Sequence, residues 1–355
     1  MKLYLLGGGV NSAVGQAHVS AIGQASGFSL GGGFFSRDET IQKDSLVSYR
    51  VTRESPATDE SFGVVILTPP DSRLDVVDQH YELLERAELI IWEKPLSVSC
   101  VEACKISELF GQKSFSVFNY LGYPAVWALR KEINDGLIGN ILSVNVEMLQ
   151  DGFVKLASNG ERLRPQVWRR RDGAISTVSL DLGVHVLSLL NFVTGISALE
   201  VKSAILTRAL EMPIKDSCRS LCESSGVPLQ LAWGKNFAGR KNAFNIEVFG
   251  ERGAMAWHQE NPDVVEFSDQ FGVVRYCQDG DPPLGSWGHY GEARRFKVGH
   301  PVGFIDALTN YYNLIANFLG HLGVHPGSNE IESFFELDEA IRCIKLLAQI
   351  EAAAC

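Results

Sequence analysis

Asp181 and His185, four residues apart in "DLGVH", have the types and the spacing for proton chemistry. On an α-helix, residues i and i+4 share a face. From there a carboxylate can hold an imidazole or a substrate hydroxyl, and the imidazole can accept a proton near neutral pH. Gly183 between them lets a ligand come near the helix, whereas a lone histidine would read as structural. Lys94, in "IIWEKPLS", is a second candidate. A partly buried ammonium can serve as a base or hold negative charge on an oxygen, although an isolated Lys-Pro also makes a plain surface turn. A third candidate is "QVWRRRDG", where Trp168 stands beside Arg169 and two further arginines. An indole there could carry a sugar ring, and an arginine could bind a phosphate or carboxylate. A solvated basic turn in an acidic protein accounts for the same residues. His300, in "GHP", reads as structural.

The chain opens with "LLGGGVNSAVGQAH". An apolar run precedes this glycine run, and a helical period through Ala13, Ala17, Ala21 and Ile22 follows it. Strand, glycine turn and helix in that order form a dinucleotide cradle. Gly7 permits the tight turn, and Gly9 lets the backbone approach a pyrophosphate seated on the helix N-terminus. Ser12 takes the place of the usual third glycine, and Gly15 lies one turn further on. The second strand ends in "FFSRDE", with Ser36 and Arg37 where NAD enzymes usually carry an acid for the ribose hydroxyl. A guanidinium suits a 2′-phosphate better than a bare hydroxyl, so the cofactor is expected to be NAD(P) with a slight lean to NADP.

These residues need elements to hold them. Strands are expected at 2–6, 28–36, 63–70, in "ELIIWEKPL" and in "KSFSVFNY", with helices alternating between them. Apolar strands alternating with helices make a doubly wound parallel sheet. After residue 120 the pattern changes to a helix at about 124–136 closed by Gly136, a strand "ILSVNVEML" and a helix near 181–193. Strand-like runs then dominate, including a hairpin in "FNIEVFGERGAMAWH". Two helices close the chain, around Leu308–Phe318 and Leu337–Ala348. The expectation is α/β: a dinucleotide-binding domain over 1–120, and over 121–355 an α+β domain on a largely antiparallel sheet.

Composition narrows the partners. The 355 residues carry a formal net charge of −10, which argues against nucleic acid and anionic membrane as partners. No run approaches a membrane span, and the apolar start is too short for a signal peptide. Among the seven cysteines, Cys100/Cys104 and Cys218/Cys222 have helical spacing but lack further ligands. The expectation is therefore no metal, reduced thiols and a cytoplasmic location.

"IIWEKPLS" resembles the signature of the Gfo/Idh/MocA family, named for glucose–fructose oxidoreductase and inositol dehydrogenase. Further segments resemble it in order: "GGGVNSAVGQAH" with His18, "VVILTPPDS", "NYLGYPAVWALRKEINDGLIGNI", "DLGVHVLSLLNFVTG" and "VGHPVGFIDALTNYY". The resemblance covers essentially the whole chain. It implies a Rossmann domain, a second domain whose large open sheet walls the substrate site, and oxidation of a sugar, cyclitol or nucleotide-sugar carbinol. Homodimers or homotetramers formed through that sheet would follow. The resemblance also implies that Val10, Asn11, Thr68, Pro69, Glu93, Lys94 and Asn119 join Gly7, Gly9, Ser12, Ser36 and Arg37 around the cofactor. Substrate would then meet Lys94, Tyr120, Trp168, Arg169, Asp181 and His185. Removing hydride from an alcohol carbon needs a base for the hydroxyl proton and a group that stabilises charge on oxygen. Lys94 suits both needs, and in the family its bond to Pro95 is typically cis, which turns the lysine toward the cofactor. Asp181 and His185 complete the catalytic set. The alternatives within this fold are an NAD-dependent glycosidase working by transient oxidation and a non-catalytic sensor of sugar or cofactor.

Overall fold

Strands β3 (Phe62–Ile66) and β4 (Leu89–Trp92) are buried at every position, as a parallel sheet covered on both faces requires. With β1 (Lys2–Leu6), β2 (Ser29–Phe34) and β5 (Ser114–Ser116) they form a five-stranded parallel sheet in the order β2-β1-β3-β4-β5. Helices α1 (Ala13–Ile22), α2 (Glu39–Ser48), α3 (Arg73–Gln79), α4 (Tyr81–Arg86) and α5 (Cys100–Phe110) make the crossovers. The strand order reverses at β1 and β3, so the crevice outside their carboxyl ends is where this architecture takes a ligand. The computed structural model describes residues 1–162, 165–210, 212–287, 297–320 and 329–354.

The second sheet has eight strands in the order β13-β12-β11-β10-β6-β9-β8-β7. They are β6 (Ile141–Leu149), β7 (Glu200–Thr207), β8 (Ser217–Ser224), β9 (Val227–Gly234), β10 (Ala243–Gly250), β11 (Gly253–His258), β12 (Val265–Asp269) and β13 (Val274–Cys277). Only the β6–β9 pair is parallel. Helices α6 (Pro124–Asn134) and α7 (Val184–Thr194) touch this sheet, and alternation decides which face stays on their side. Val144, Val146, Phe244, Ile246, Met255 and Trp257 are buried. Asn145, Glu147, Asn245, Glu247 and His258 lie on the other face and stay partly exposed. The expected hairpin is present, with β10 and β11 paired antiparallel about Glu251 and Arg252.

The chain closes with α8 (Phe304–Phe318), α9 (Asn329–Ser333) and α10 (Leu337–Ala352). Two compact units result: Met1–Gly122 with Phe304–Ile341, and Tyr123–Gly303 with Arg342–Cys355. The sequence reading assigns all of 121–355 to one domain, but the chain returns to the first unit late. Packing is the reason: α8 lies against α1 and against the turn Asn119–Gly122, where a Cβ on Gly122 would sit 1.9 Å from the Ala307 carbonyl oxygen. Helical period marks α8 as amphipathic but cannot say which unit buries it.

Candidate active site

Gly7 follows β1 with φ +87°, a conformation that favours glycine, and its N–H closes on the Phe34 carbonyl at 2.8 Å. A Cβ on Gly7 would meet the backbone of Leu67 and Thr68 at 3.1 Å, so the loops after β1 and β3 touch. Ser12 caps α1, its hydroxyl accepting from the Gly15 amide at 3.1 Å. The close helix–loop packing that the usual third glycine permits falls to Gly15 rather than to Ser12, because a Cβ on Gly15 would lie 2.1 Å from the Gly8 carbonyl oxygen. No acidic residue occupies the first turn of α1, so its free amides and positive dipole end suit a phosphate. Asn11 is exposed on this loop, and the Val10 amide donates to the Ser45 hydroxyl at 3.1 Å.

β2 ends at Phe34, two residues short of the expected boundary, which leaves Ser36 and Arg37 in the loop. Gln42 holds that loop, its side-chain oxygen accepting from the Phe35 and Ser36 amides at 2.7 and 3.2 Å. Asp38 caps α2 by accepting from Thr40 and Ile41, so its carboxylate serves the helix. Burial lowers the His80 pKa, and the charge of Arg37 lowers it further, so Arg37 projects positive potential over this edge.

β3 gives way to Thr68 and Pro69 and β4 to Glu93 and Lys94, with the Lys94–Pro95 bond cis. After β5 come Asn119 and Tyr120, both buried. The Thr68 hydroxyl and the Asn119 side-chain amide nitrogen are buried and have no hydrogen-bond partner among the described residues. Such orphaned groups are costly unless a ligand satisfies them. With the glycine cradle they fit a bound dinucleotide, and the residues expected around the cofactor all lie in the first unit.

The second unit holds the other candidates. Asp181 lies in a π-helical turn, Ser179–Gly183, and His185 in α7, so they do not share the single regular α-helix that their spacing suggests. That turn is tied down by Glu351, which accepts from the Ser176 amide at 3.0 Å and from the Ser179 hydroxyl at 2.7 Å. Both candidates are buried, at 3% exposure each. Asp181 pairs with Arg169 through one oxygen at 2.7 Å and with Lys235 through the other. Lys235 escaped the sequence reading; its one signal is its place just past β9, in "LAWGK". Arg169 also lies over the Trp168 ring, 4.6 Å from its centroid. One indole face is therefore already covered by a guanidinium, and a sugar could stack only on the other. Among the described residues no group of three or more His, Cys, Asp or Glu could hold a metal, and no helix is long and apolar enough to cross a membrane.

Residues 126–256 match the GFO/IDH/MocA C-terminal domain. The chain is 27% identical over 297 residues to an inositol 2-dehydrogenase of Rhizobium meliloti, covering 80% of this chain and 82% of that protein. It is 26% identical over 211 residues to a levoglucosan dehydrogenase of Pseudarthrobacter phenanthrenivorans, 51% of this chain and 52% of the other. In fold it is similar to an inositol dehydrogenase homolog from Azotobacter vinelandii solved with NADH and myo-inositol. That match has a TM-score of 0.83 at 22% identity and covers 100% and 95% of the two chains.

Proposed function

We propose that this chain, which carries the C-terminal domain of the Gfo/Idh/MocA family, is an NAD(P)-dependent dehydrogenase acting on a carbinol of a sugar or cyclitol. One observation carries the reading. The loops after β1, β3, β4 and β5 together present a glycine cradle, the orphaned Thr68 and Asn119 donors, and Lys94. The dehydrogenases it resembles, named for inositol and levoglucosan, support the substrate class.

Gly7, Gly9, Val10, Asn11, Ser12, Thr68, Pro69, Glu93 and Asn119 would hold the dinucleotide, whose nicotinamide supplies the acceptor for hydride. Lys94 takes the hydroxyl proton or holds the oxygen as charge develops on it. His185 shares the proton transfer. Asp181, fixed by Arg169 and Lys235, orients the buried polar groups around it, and Tyr120 and Trp168 complete the substrate contacts. Ser36 and Arg37 make the end of β2 receptive to a 2′-phosphate, so NADPH should bind at least as well as NADH. A cytoplasmic homodimer or homotetramer completes the proposal.

The test is Lys94→Ala, with nicotinamide binding followed by fluorescence and turnover by absorbance on sugars and cyclitols. Turnover should fall about 10²-fold or more while cofactor affinity stays near its starting value. Unchanged turnover would remove Lys94 from the chemistry. Hydrolysis of a glycoside without net cofactor reduction would make the chain a glycosidase, and cofactor binding with no turnover of any substrate would make it a sensor.

A further inference from the structure

Lys94 stands between two residues that are gripped from different directions. On the near side, Glu93 Oε1 lies 3.3 Å from His18 Nε2, and His18 Nδ1 lies 2.7 Å from the Tyr312 hydroxyl. Burial and the nearby Glu93 raise the Tyr312 pKa well above its ordinary value, so the phenol keeps its proton. With His18 in the Nε2–H tautomer, which lets the ring donate to the Glu93 carboxylate, Tyr312 donates to Nδ1. Each atom has one role, and the chain runs from α8 through α1 to the residue before Lys94. His18 and Tyr312 are almost completely buried, which keeps water from competing for these bonds.

On the far side is Arg73, at the start of α3 and only 2% exposed. It donates through one Nη to the Pro95 carbonyl and through the other to the Thr68 carbonyl at 3.3 Å. It thus ties the residue after Lys94 to the turn after β3. Burial lowers its pKa to about 10, so it stays charged at neutral pH, and the Glu93 carboxylate is one of the charges that support it. A buried guanidinium is expensive unless its donors are used. Here both Nη groups are used while Nε has no partner among the described residues, and the fork adds to the bond from the Glu93 amide to the Ile66 carbonyl, 3.0 Å, that already links the ends of β3 and β4.

We propose that His18 and Arg73 are positioning residues for Lys94, His18 fixing the residue before it and Arg73 the residue after it. The ammonium then leaves the loop in one direction only. This rests on the reading of Lys94 as the proton-transfer group, and the experiment separates the two. Arg73→Lys keeps the charge but cannot span both carbonyls. Tyr312→Phe removes one hydroxyl, and with it the partner of His18 Nδ1, at nearly constant shape. For each variant, kcat and the KM for cofactor and sugar are measured separately. In parallel, cofactor-free protein is acetylated with limiting acetic anhydride, and the rate at Lys94 relative to the other lysines is read by mass spectrometry.

Both variants should lose roughly tenfold or more in kcat with little change in cofactor KM, since small misplacements of a catalytic group are costly. The relative acetylation rate of Lys94 should change severalfold. Unchanged kcat and unchanged Lys94 reactivity in the folded variants overturn the proposal, even if the melting temperature falls, because that pattern means a structural role alone. If Arg73→Lys does not fold, the near-isosteric Tyr312→Phe decides. If Lys94→Ala itself keeps turnover, the reading of Lys94 fails, and the acetylation rate still tells whether the two grips hold that side chain.

Discussion

Under the proposed function, Arg37 is the residue whose substitution tests the choice between NADPH and NADH. Its charge contributes to the lowered His80 pKa, while Asp38 caps α2 and Glu39 follows in the first turn of that helix. A phosphate on the ribose would meet the Arg37 guanidinium there, against the two carboxylates that follow it. Arg37→Ala should therefore weaken NADPH more than NADH, by about tenfold if a charge-assisted bond is lost. Parallel fluorescence titrations with both nucleotides check it, and an equal loss for both would assign the arginine to general surface charge. Ser36, whose hydroxyl accepts from the Asp38 amide at 3.1 Å, shapes the same loop.

Among elements, α1 approaches the glycine loop closely, with a Cβ on Gly15 placed 2.1 Å from the Gly8 carbonyl oxygen. Gly15→Ala would drive a Cβ into the Gly8 carbonyl oxygen, and backbone on both sides leaves nothing flexible to yield. The variant should lose about 1–3 kcal/mol of stability, as overpacked sites do, and bind nicotinamide at least tenfold more weakly. Chemical denaturation and titration check the pair, and a stable variant with intact binding contradicts the close-packing role. A second test concerns β1 and the segment beside it. Glu60 receives Lys2 at 2.7 Å, Arg53 at 2.9 Å, the Tyr4 hydroxyl at 3.1 Å and the Ala57 amide at 3.0 Å. The hydrogen bond from Lys2 is the main cause that lowers its pKa from 4.5 to about 2. A lowered carboxylate pKa stabilises the fold above the unfolded value and stops doing so as pH falls through the folded one. Glu60→Gln should thus melt a few degrees lower at pH 7, with the gap closing between pH 4.5 and 2. Because Lys2 and Arg53 are half-exposed, salt should shrink the gap as well. A gap independent of pH would show that charge is not the cause.

For the whole molecule, the open face of the eight-stranded sheet is the feature to explain. Its centre pairs Asn145 with Glu247 at 3.2 Å and Asn245 with Glu147 at 3.1 Å, beside a polar concavity of about 410 Å³. Ala232 and Ala256 leave low ground on the same face. The sequence reading expects this face to be buried between subunits, and the polar centre means that such an interface would be hydrogen-bonded rather than oily. Light scattering should give two or four copies, and Ala232→Arg should lower that number by filling the low ground with a charge. A monomeric mass for the unaltered chain contradicts the assembly.

Periodicity and glycine placement were enough to identify a parallel sheet followed by a largely antiparallel one, and the family resemblance added that the second sheet is large and open. Strands that are apolar at every position, and the run of consecutive strand-like segments after about residue 195, are local signals. The residue types proposed to do chemistry were legible because Lys94, Asp181 and His185 sit in short motifs. Tertiary structure decided what those motifs touch. Nothing local in "TPPDSR" marks Arg73 as the partner of the Pro95 carbonyl, nothing in "LAWGK" assigns Lys235 to Asp181, and nothing in α8 announces Tyr312 as the donor to His18. Each partnership joins residues between 22 and 294 positions apart in sequence, and only burial in one unit brings them together. The π turn at Ser179–Gly183 belongs to the same class, because it is held by Glu351, whose distance along the chain hides it from any window of sequence. A sequence states which groups can do chemistry; the packing of distant segments determines which of them are held in place to do it.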